Sequence, residues 1–398
     1  MRASNRKNLL ILAFTLFVVM LGYGVVIPIL PFYVERMGAG GAELGLLVAS
    51  YAVMKLICGP IWGSLSDRIG RKPVLLIGIL GYAITMFWFG LATELWMLFA
   101  ARILSGILSS ATAPTTMAYI GDSTTEKERS GGMGILGAAA GLGTIFGPAA
   151  GGLLAGKSLA LPFFIAGGMA LLALALAVLL LPESLSAAAR REAAAEGGAT
   201  GLAAGREAIF SPLGILFVLT LVSTGGLMIF ASVFGLYALD RFGYGPEGVG
   251  VMMMVLGLAS AAAQGALAGP LTKHWGEVVV IRAGFAASAL GFGLLLLADD
   301  FVAVLLATAF FGVTTALQAP ALTSLTSQRS TLSQGITMGL SNAFVSLGRI
   351  VGPLLGGLLF DVNMSYPYVA GAAVMLLGVA ISLISGGEQR PALKQQTS

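Results

Sequence analysis

The stretch NLLILAFTLFVVMLGYGVVIPILPFYV, Asn8–Val34, runs for 27 residues without an Asp, Glu, Lys, Arg or His. An α-helix needs about 20 apolar residues to cross the hydrocarbon of a bilayer. In lipid only a helix or a closed barrel satisfies the backbone polar groups of such a segment. Reading outward from it, comparable gaps between charges recur at Lys72–Glu94, Arg129–Lys157, Lys157–Glu183, Glu207–Asp240, Glu247–Lys273, Asp300–Arg329 and Asp361–Glu388. Four more apolar segments each hold a single base: Leu44–Trp62 with Lys55, Leu95–Ile120 with Arg102, Val278–Ala298 with Arg282, and Thr331–Phe360 with Arg349. Twelve membrane helices are therefore expected. Composition agrees: 57% of residues are hydrophobic and 10% charged, with a mean hydropathy of +0.93. A water-soluble surface needs about 25% charged residues, so a soluble enzyme or a nucleic-acid-binding protein is not the expected class.

Orientation follows from the bases. With the N-terminus cytoplasmic, 15 lysines and arginines fall on inner segments and 3, Arg36, Lys157 and Arg241, on outer loops. This is the positive-inside pattern, and it places both termini in the cytoplasm of an inner, cell-bounding membrane. The first span is read as a retained helix, because it is too long for the apolar core of a signal peptide. The lone cysteine, Cys58, carries no disulfide reading.

The chain also repeats itself. Phe146-Gly147-Pro148-Ala149-Ala150-Gly151-Gly152 returns as Val351-Gly352-Pro353-Leu354-Leu355-Gly356-Gly357, and Gly63-Ser64-Leu65 with Gly70 returns as Gly269-Pro270-Leu271 with Gly276. Both offsets are about 205 residues. Two six-helix bundles, 1–182 and 211–398, are expected around a cytoplasmic linker, 183–210, whose Ala187–Ala195 run suits a short surface helix. Duplicated bundles in one orientation enclose a substrate site at their interface.

The most specific segment is Gly63-Ser64-Leu65-Ser66-Asp67-Arg68-Ile69-Gly70-Arg71-Lys72-Pro73, read as the loop between spans two and three. Its glycines permit close approach of two helix ends, Asp67 can pair with a base or a helix N-terminus, and Arg68, Arg71 and Lys72 can meet acids or anionic lipid. This segment resembles the signature loop of the major facilitator superfamily. In span five, Gly134, Gly143, Gly147, Pro148, Gly151 and Gly152 fit G-x8-G-x3-G-P-x2-G-G, which resembles the motif of the drug:proton antiporter group, such as the tetracycline and quinolone exporters. Small residues let membrane helices approach closely, and a proline permits a bend. Arg102 in span four resembles the arginine tied to proton coupling in that group. Asp122 and Arg129 resemble the following cytoplasmic turn, where they are expected to bridge to the Asp67 loop. Pro28 and Pro31 at the end of span one, and Gly269–Glu277, fit the same resemblance.

Departures from the group are informative. Acids that the tetracycline pumps carry in helices one and three fall near Val19 and at Thr85, and their histidine falls near Ser260. The quinolone exporters' acids fall near Ala231 and Ala316–Gln318. All 18 acids lie in loops or at helix ends. The deep ionisable residues are all basic, namely Lys55, Arg102 and Arg349, while Arg282 is close enough to the cytoplasm to snorkel. Ionisable residues within a membrane are commonly functional. Three readings follow: an anionic substrate neutralises these bases, Lys55 exchanges a proton, or end-of-helix acids such as Glu35 and Asp67 do so. The bland reading has Lys55 and Arg102 bonding to carbonyls and hydroxyls.

Gly151–Ser158 satisfies the phosphate-loop pattern, but it ends a membrane helix instead of following a strand, so no ATP site is expected. His274 stands alone, and no metal site is expected. Residues proposed from depth and polarity to line the cavity are Met20, Tyr23, Met228, Phe230, Phe234, Met253, Gln318, Asn342 and Arg349. The expectation is a monomeric, non-enzymatic secondary transporter, a proton-coupled exporter of amphipathic small molecules. It needs no cofactor beyond the proton gradient, and its partners are substrate, protons and lipid. The alternative is a carrier of an anionic metabolite or lipid.

Overall fold

The computed structural model describes residues 3–186 and 213–385. The expected Ala187–Ala195 helix lies outside the described residues. Among those described there are twelve helices long and apolar enough to span a membrane. They are α1 Ala3–Arg36, α2 Gly41–Ile69, α3 Arg71–Leu91, α4 Leu95–Ser123, α5 Glu126–Ala155 and α6 Leu161–Leu180, followed by α7 Leu213–Phe242, α8 Pro246–Trp275, α9 Glu277–Leu297, α10 Phe301–Arg329, α11 Gln334–Val362 and α12 Tyr366–Ser385. Exposed leucines and isoleucines such as Leu179, Leu297 and Ile384 are in keeping with outer faces solvated by lipid.

Two helices are interrupted. The ring of Pro114 has no N–H for the carbonyl of Ser110, and α4 breaks there into Leu95–Ser109 and Thr112–Ser123. In α8, Pro270 likewise cannot bond to the carbonyl of residue 266, and a π-helical segment, Ala263–Leu267, lies just before it. Such insertions are common where a helix must bend.

The sequence repeat is also a packing repeat. Gly147 lies against α1, where an added Cβ would sit 2.3 Å from the Leu21 carbonyl oxygen; Gly352 lies against α7, 2.6 Å from that of Gly225. Gly151 and Gly356 continue these contacts onto Val25 and Ile229. The next glycines cross between bundles: Gly152 meets Gly250 of α8, and Gly357 meets Gly41 of α2. The links α2–α3 and α8–α9 are single glycines at positive φ, Gly70 at 113° and Gly276 at 79°.

These crossings show where the bundles touch. At the end bearing Asp361, α2 packs on α11 through Gly41 and Gly45, α5 packs on α8 through Gly152 and Gly156, and Gly235 of α7 meets Pro31 of α1. At the end bearing Gly70, the same four helices part. Gly59 and Gly63 of α2, Gly131, Gly134, Gly137 and Gly141 of α5, Gly265 and Gly269 of α8, and Gly335 and Gly339 of α11 have no atom of another element within 4 Å of where a Cβ would stand. The molecule is closed at the Asp361 end and open at the Gly70 end.

Two expectations are corrected here. Residues 63–69 form the last turns of α2 instead of a loop, so the link is Gly70 alone. Gly63 and Gly134 make no close helix contact, because both face the opening; Gly143, Gly147, Gly151 and Gly152 do. Gly151–Ser158 is helix and helix end, as expected, with Gly156 against Glu247 of α8.

Candidate functional site

The deep bases converge between the bundles. Tyr23 of α1, Tyr51 and Lys55 of α2, Arg102 of α4, Met228 of α7, and Ser346 and Arg349 of α11 line one narrow slot of about 20 Å³. A continuation of similar size runs toward the Asp361 end along Ile27, Leu44 and Val48, sharing Tyr23, Arg102 and Met228. The slot is built around one aromatic ring. The Arg102 guanidinium carbon lies 5.3 Å from the centroid of Tyr51 and the Lys55 ammonium 5.9 Å from it. Tyr23 stands against the same ring, 5.7 Å between centroids. A cation over a ring face within about 6 Å is attracted by the ring quadrupole. Lys55 and Arg102 are therefore held by Tyr51 instead of by the carbonyls and hydroxyls of the bland reading.

Arg102 is 3% exposed, and its Nε has no hydrogen-bond partner among the described residues. No Asp or Glu lines the slot or its continuation. None of the three bases is in an ion pair among the described residues. The arrangement is a concentrated positive charge between two bundles, with an unused donor on its one fully buried base, Arg102.

A second space, a cleft of about 400 Å³, opens between α5, α7, α8 and α10 beside Thr144, Ser223, Leu227, Ser260, Gln264 and Thr315. Leu227 lines the cleft and its neighbour Met228 lines the slot, so the two spaces flank the same turn of α7.

Of the proposed lining residues, Tyr23, Met228 and Arg349 are in the slot. The others do not line this slot, and Phe230, Phe234, Met253 and Gln318 are corrected as buried. Phe230 and Phe234 are fully buried in an aromatic cluster with Phe311. Met253 is buried in the core of its bundle. Met20 packs against α5 at Gly143. Gln318 is a buried hub that accepts from the Ser223 hydroxyl at 2.6 Å and donates to Ser288 Oγ at 2.8 Å. Asn342 is exposed on the parted half of α11, one turn from Ser346 of the slot and on the side of Gly339. Depth was readable from sequence, but in helices apolar on every side the face was not. Tyr51, which organises the slot, was missed; its signal was i,i+4 spacing to Lys55 on one helix face.

The signature segment forms a separate cluster at the Gly70 end. Arg71 bonds to Asp67 at 2.5 Å, to Asp122 at 2.9 Å and to Ser66 Oγ at 2.7 Å. Glu183, also missed from sequence, accepts from the backbone N–H of Arg71 at 2.9 Å and of Lys72 at 3.2 Å, capping α3. A carboxylate there meets both orphan donors and the positive end of the helix dipole. Lys72 Nζ reaches the Val178 carbonyl, tying α3 to α6. Arg68 borders a shallow surface hollow with Pro60 and Ser64. Arg129 donates to the Gly121 carbonyl at 3.1 Å, so its expected bridge to the Asp67 segment is not formed. Arg282 donates to the Ser382 carbonyl at 2.9 Å, on the last turn of α12. Glu35 lies exposed at the Asp361 end, far along α1 from the slot. Near it, Asp361 of α11 accepts from Gly41 N at 2.6 Å and Ala42 N at 2.9 Å, holding α2 across the bundles.

Comparison with known proteins fits this architecture. The family model described as "Major Facilitator Superfamily" matches residues 12–267 and 216–398. "Multidrug resistance protein 2" of Bacillus subtilis (strain 168) is 34% identical over 94% of both chains. "Multidrug resistance protein 1" of the same strain is 35% identical over 95% of this chain and 97% of its own. "Quinolone resistance protein NorA" of Staphylococcus aureus (strain COL) is 29% identical over 98% and 99%. Among solved structures, a bacterial homologue of the human lysosomal transporter Spinster, inward-facing and occupied, superposes with a TM-score of 0.82 at 14% identity, covering 97% of this chain and 98% of that one. The chain belongs to the Major Facilitator Superfamily and is a twelve-span membrane transporter, not an enzyme.

Proposed function

We propose that this transporter is a proton-coupled exporter of amphipathic small molecules, working by alternating access as a monomer in the cell-bounding membrane. The carrying observation is that the bundles meet at the Asp361 end and part at the Gly70 end around a central slot. Whole-length similarity to relatives named for multidrug and quinolone resistance supports export. With the Gly70 end cytoplasmic, as the positive-inside pattern directs, this is the inward-open state, which takes substrate from the cytoplasm or inner leaflet. The Asp67–Arg71–Asp122 cluster, with Arg68 and Lys72, stands where α2 must meet α11 for the inner side to shut.

For proton exchange, Lys55 is the candidate carrier as the lysine of the slot, whereas Arg102 acts by its fixed charge. Glu35, exposed at the outer end, is the alternative. The test is dye flux in proteoliposomes with an imposed pH gradient, comparing the unaltered chain with Lys55→Met and Glu35→Gln. Flux driven by an acidic lumen, and lost in one of the two variants, is the expected result. Flux indifferent to the gradient removes the proton coupling, and no flux of any dye removes transport. A second reading, transport of anions, is favoured by the three unpaired bases.

A further inference from the structure

We propose that the slot between Tyr51, Lys55, Arg102 and Arg349 is an anion subsite that binds the carboxylate or equivalent acidic group of an amphipathic substrate. The inference rests on the export reading only in placing the substrate at the interface of the bundles, and it does not depend on how transport is energised.

Charge is the first argument. Three cationic side chains drawn from both bundles border one narrow space, and no carboxylate lines it. Removing the Arg102 charge from water costs several kcal/mol even after relaxation. Structural bases in membranes normally recover this through acids or backbone carbonyls, as Arg282 does at Ser382 and Arg71 does at Asp67 and Asp122. Lys55 and Arg102 instead share one tyrosine ring.

The second argument is the unused donor. Arg102 is 97% buried by its 3% exposure, it lines both parts of the slot, and its Nε–H is unpaired among the described residues. A buried donor left without a partner costs about 1–3 kcal/mol, more when charged. A planar guanidinium presents its donors in the fork that a carboxylate or phosphate accepts. Size is the third. The slot admits about one small polar group, whereas the neighbouring cleft of about 400 Å³ on the same turn of α7 has room for an apolar body. Head in the slot and body in the cleft describes an amphipathic anion. Its charge takes the place of the missing intramembrane acid. An anion leaving an inside-negative cell also moves with the potential, at about 2.3 kcal/mol per charge per 100 mV.

The test uses two xanthene dyes of one ring system and opposite charge, anionic fluorescein and cationic rhodamine 6G. Binding is read by fluorescence anisotropy on the full chain in phosphatidylcholine nanodiscs. Fluorescein is expected to bind the more tightly. Arg349→Gln, at a half-buried position, is expected to weaken fluorescein about tenfold or more while rhodamine 6G holds or improves. Arg102→Lys keeps the charge but loses the fork, and is expected to fall between the unaltered chain and Arg102→Gln. Melting temperature shows which variants fold. Adding phosphatidylglycerol separates the two sources of an anionic head. Competition with fluorescein identifies lipid, and no competition identifies a free solute; either supports the subsite. The inference is overturned if rhodamine 6G binds more tightly than fluorescein, or if folded Arg349→Gln and Arg102→Lys both leave fluorescein affinity unchanged. A chain that binds fluorescein as described but moves no dye across liposomes keeps the subsite and loses export. One that exports rhodamine 6G and ignores fluorescein does the reverse.

Discussion

Substituting Gly357→Val should drive the transporter out of the state described here. Gly357 of α11 faces Gly41 of α2 across the bundles, and a Cβ on it would stand 2.1 Å from the Gly41 carbonyl oxygen and 2.8 Å from its carbon. Ordinary contact requires more than 3 Å, so the helices must separate by about 1 Å before the branched side chain is placed. That separation breaks the bonds from Gly41 N and Ala42 N to the Asp361 carboxylate, 2.6 and 2.9 Å long. Bonds to a charged acceptor contribute about 1.5–3 kcal/mol each. The closed Asp361 end therefore loses roughly 3–6 kcal/mol, a factor of about 10² to 10⁴ in its population. The opposing conformation, in which α2 and α11 part at this end, does not feel the added methyls. Spin labels at Ser64 and Lys273, on the Gly70 halves of α2 and α8, report the change as a pulsed electron resonance distance. The long distance of the open inner side should give way to a short one. Gly59→Val, placed in open space on α2, is the control and should leave the distribution alone. An unchanged long distance in folded Gly357→Val would refute the assignment of this glycine pair as the outer closure.

Gly70→Ala should destabilise the first bundle by about 1–3 kcal/mol from its φ of 113° and ψ of 156° alone, and more because its Cβ would meet Glu183 Oε2 at 2.4 Å; a lowered midpoint in SDS titration measures it. Arg71→Ala leaves Asp67, Asp122 and Ser66 without their shared partner. Discounted for the exposure of Asp67, the loss should be about 2 kcal/mol, partly recovered by Asp122→Asn in the same chain, as a double-mutant cycle in the same titration would show. Gln318→Leu removes the acceptor of the Ser223 hydroxyl and the donor to Ser288 Oγ, which keeps its bonds to Gly284 and Thr314. It should lower thermal stability by about 1–3 kcal/mol and leave dye binding at the slot intact.

Much of this protein is determined by its sequence alone. Twelve charge-poor runs and the recurrence of the Gly-Pro motif are one-dimensional signals, since lipid sets both the length and the polarity of a span. They suffice for the helices, the duplication and the family, and they show that every deep ionisable residue is basic. Which faces meet is a different matter. Phe230 and Met228 sit two residues apart at one depth on a helix apolar all round, yet one is sealed among aromatic rings and the other lines the slot. Only the packed bundles decide this, because a lipid-facing, a core-facing and a cavity-facing residue obey the same hydropathy. The same holds for Tyr51 beneath two cations, Glu183 on α3, and Asp361 on α2. Each joins groups distant in the chain whose attraction exists only once the helices have brought them together.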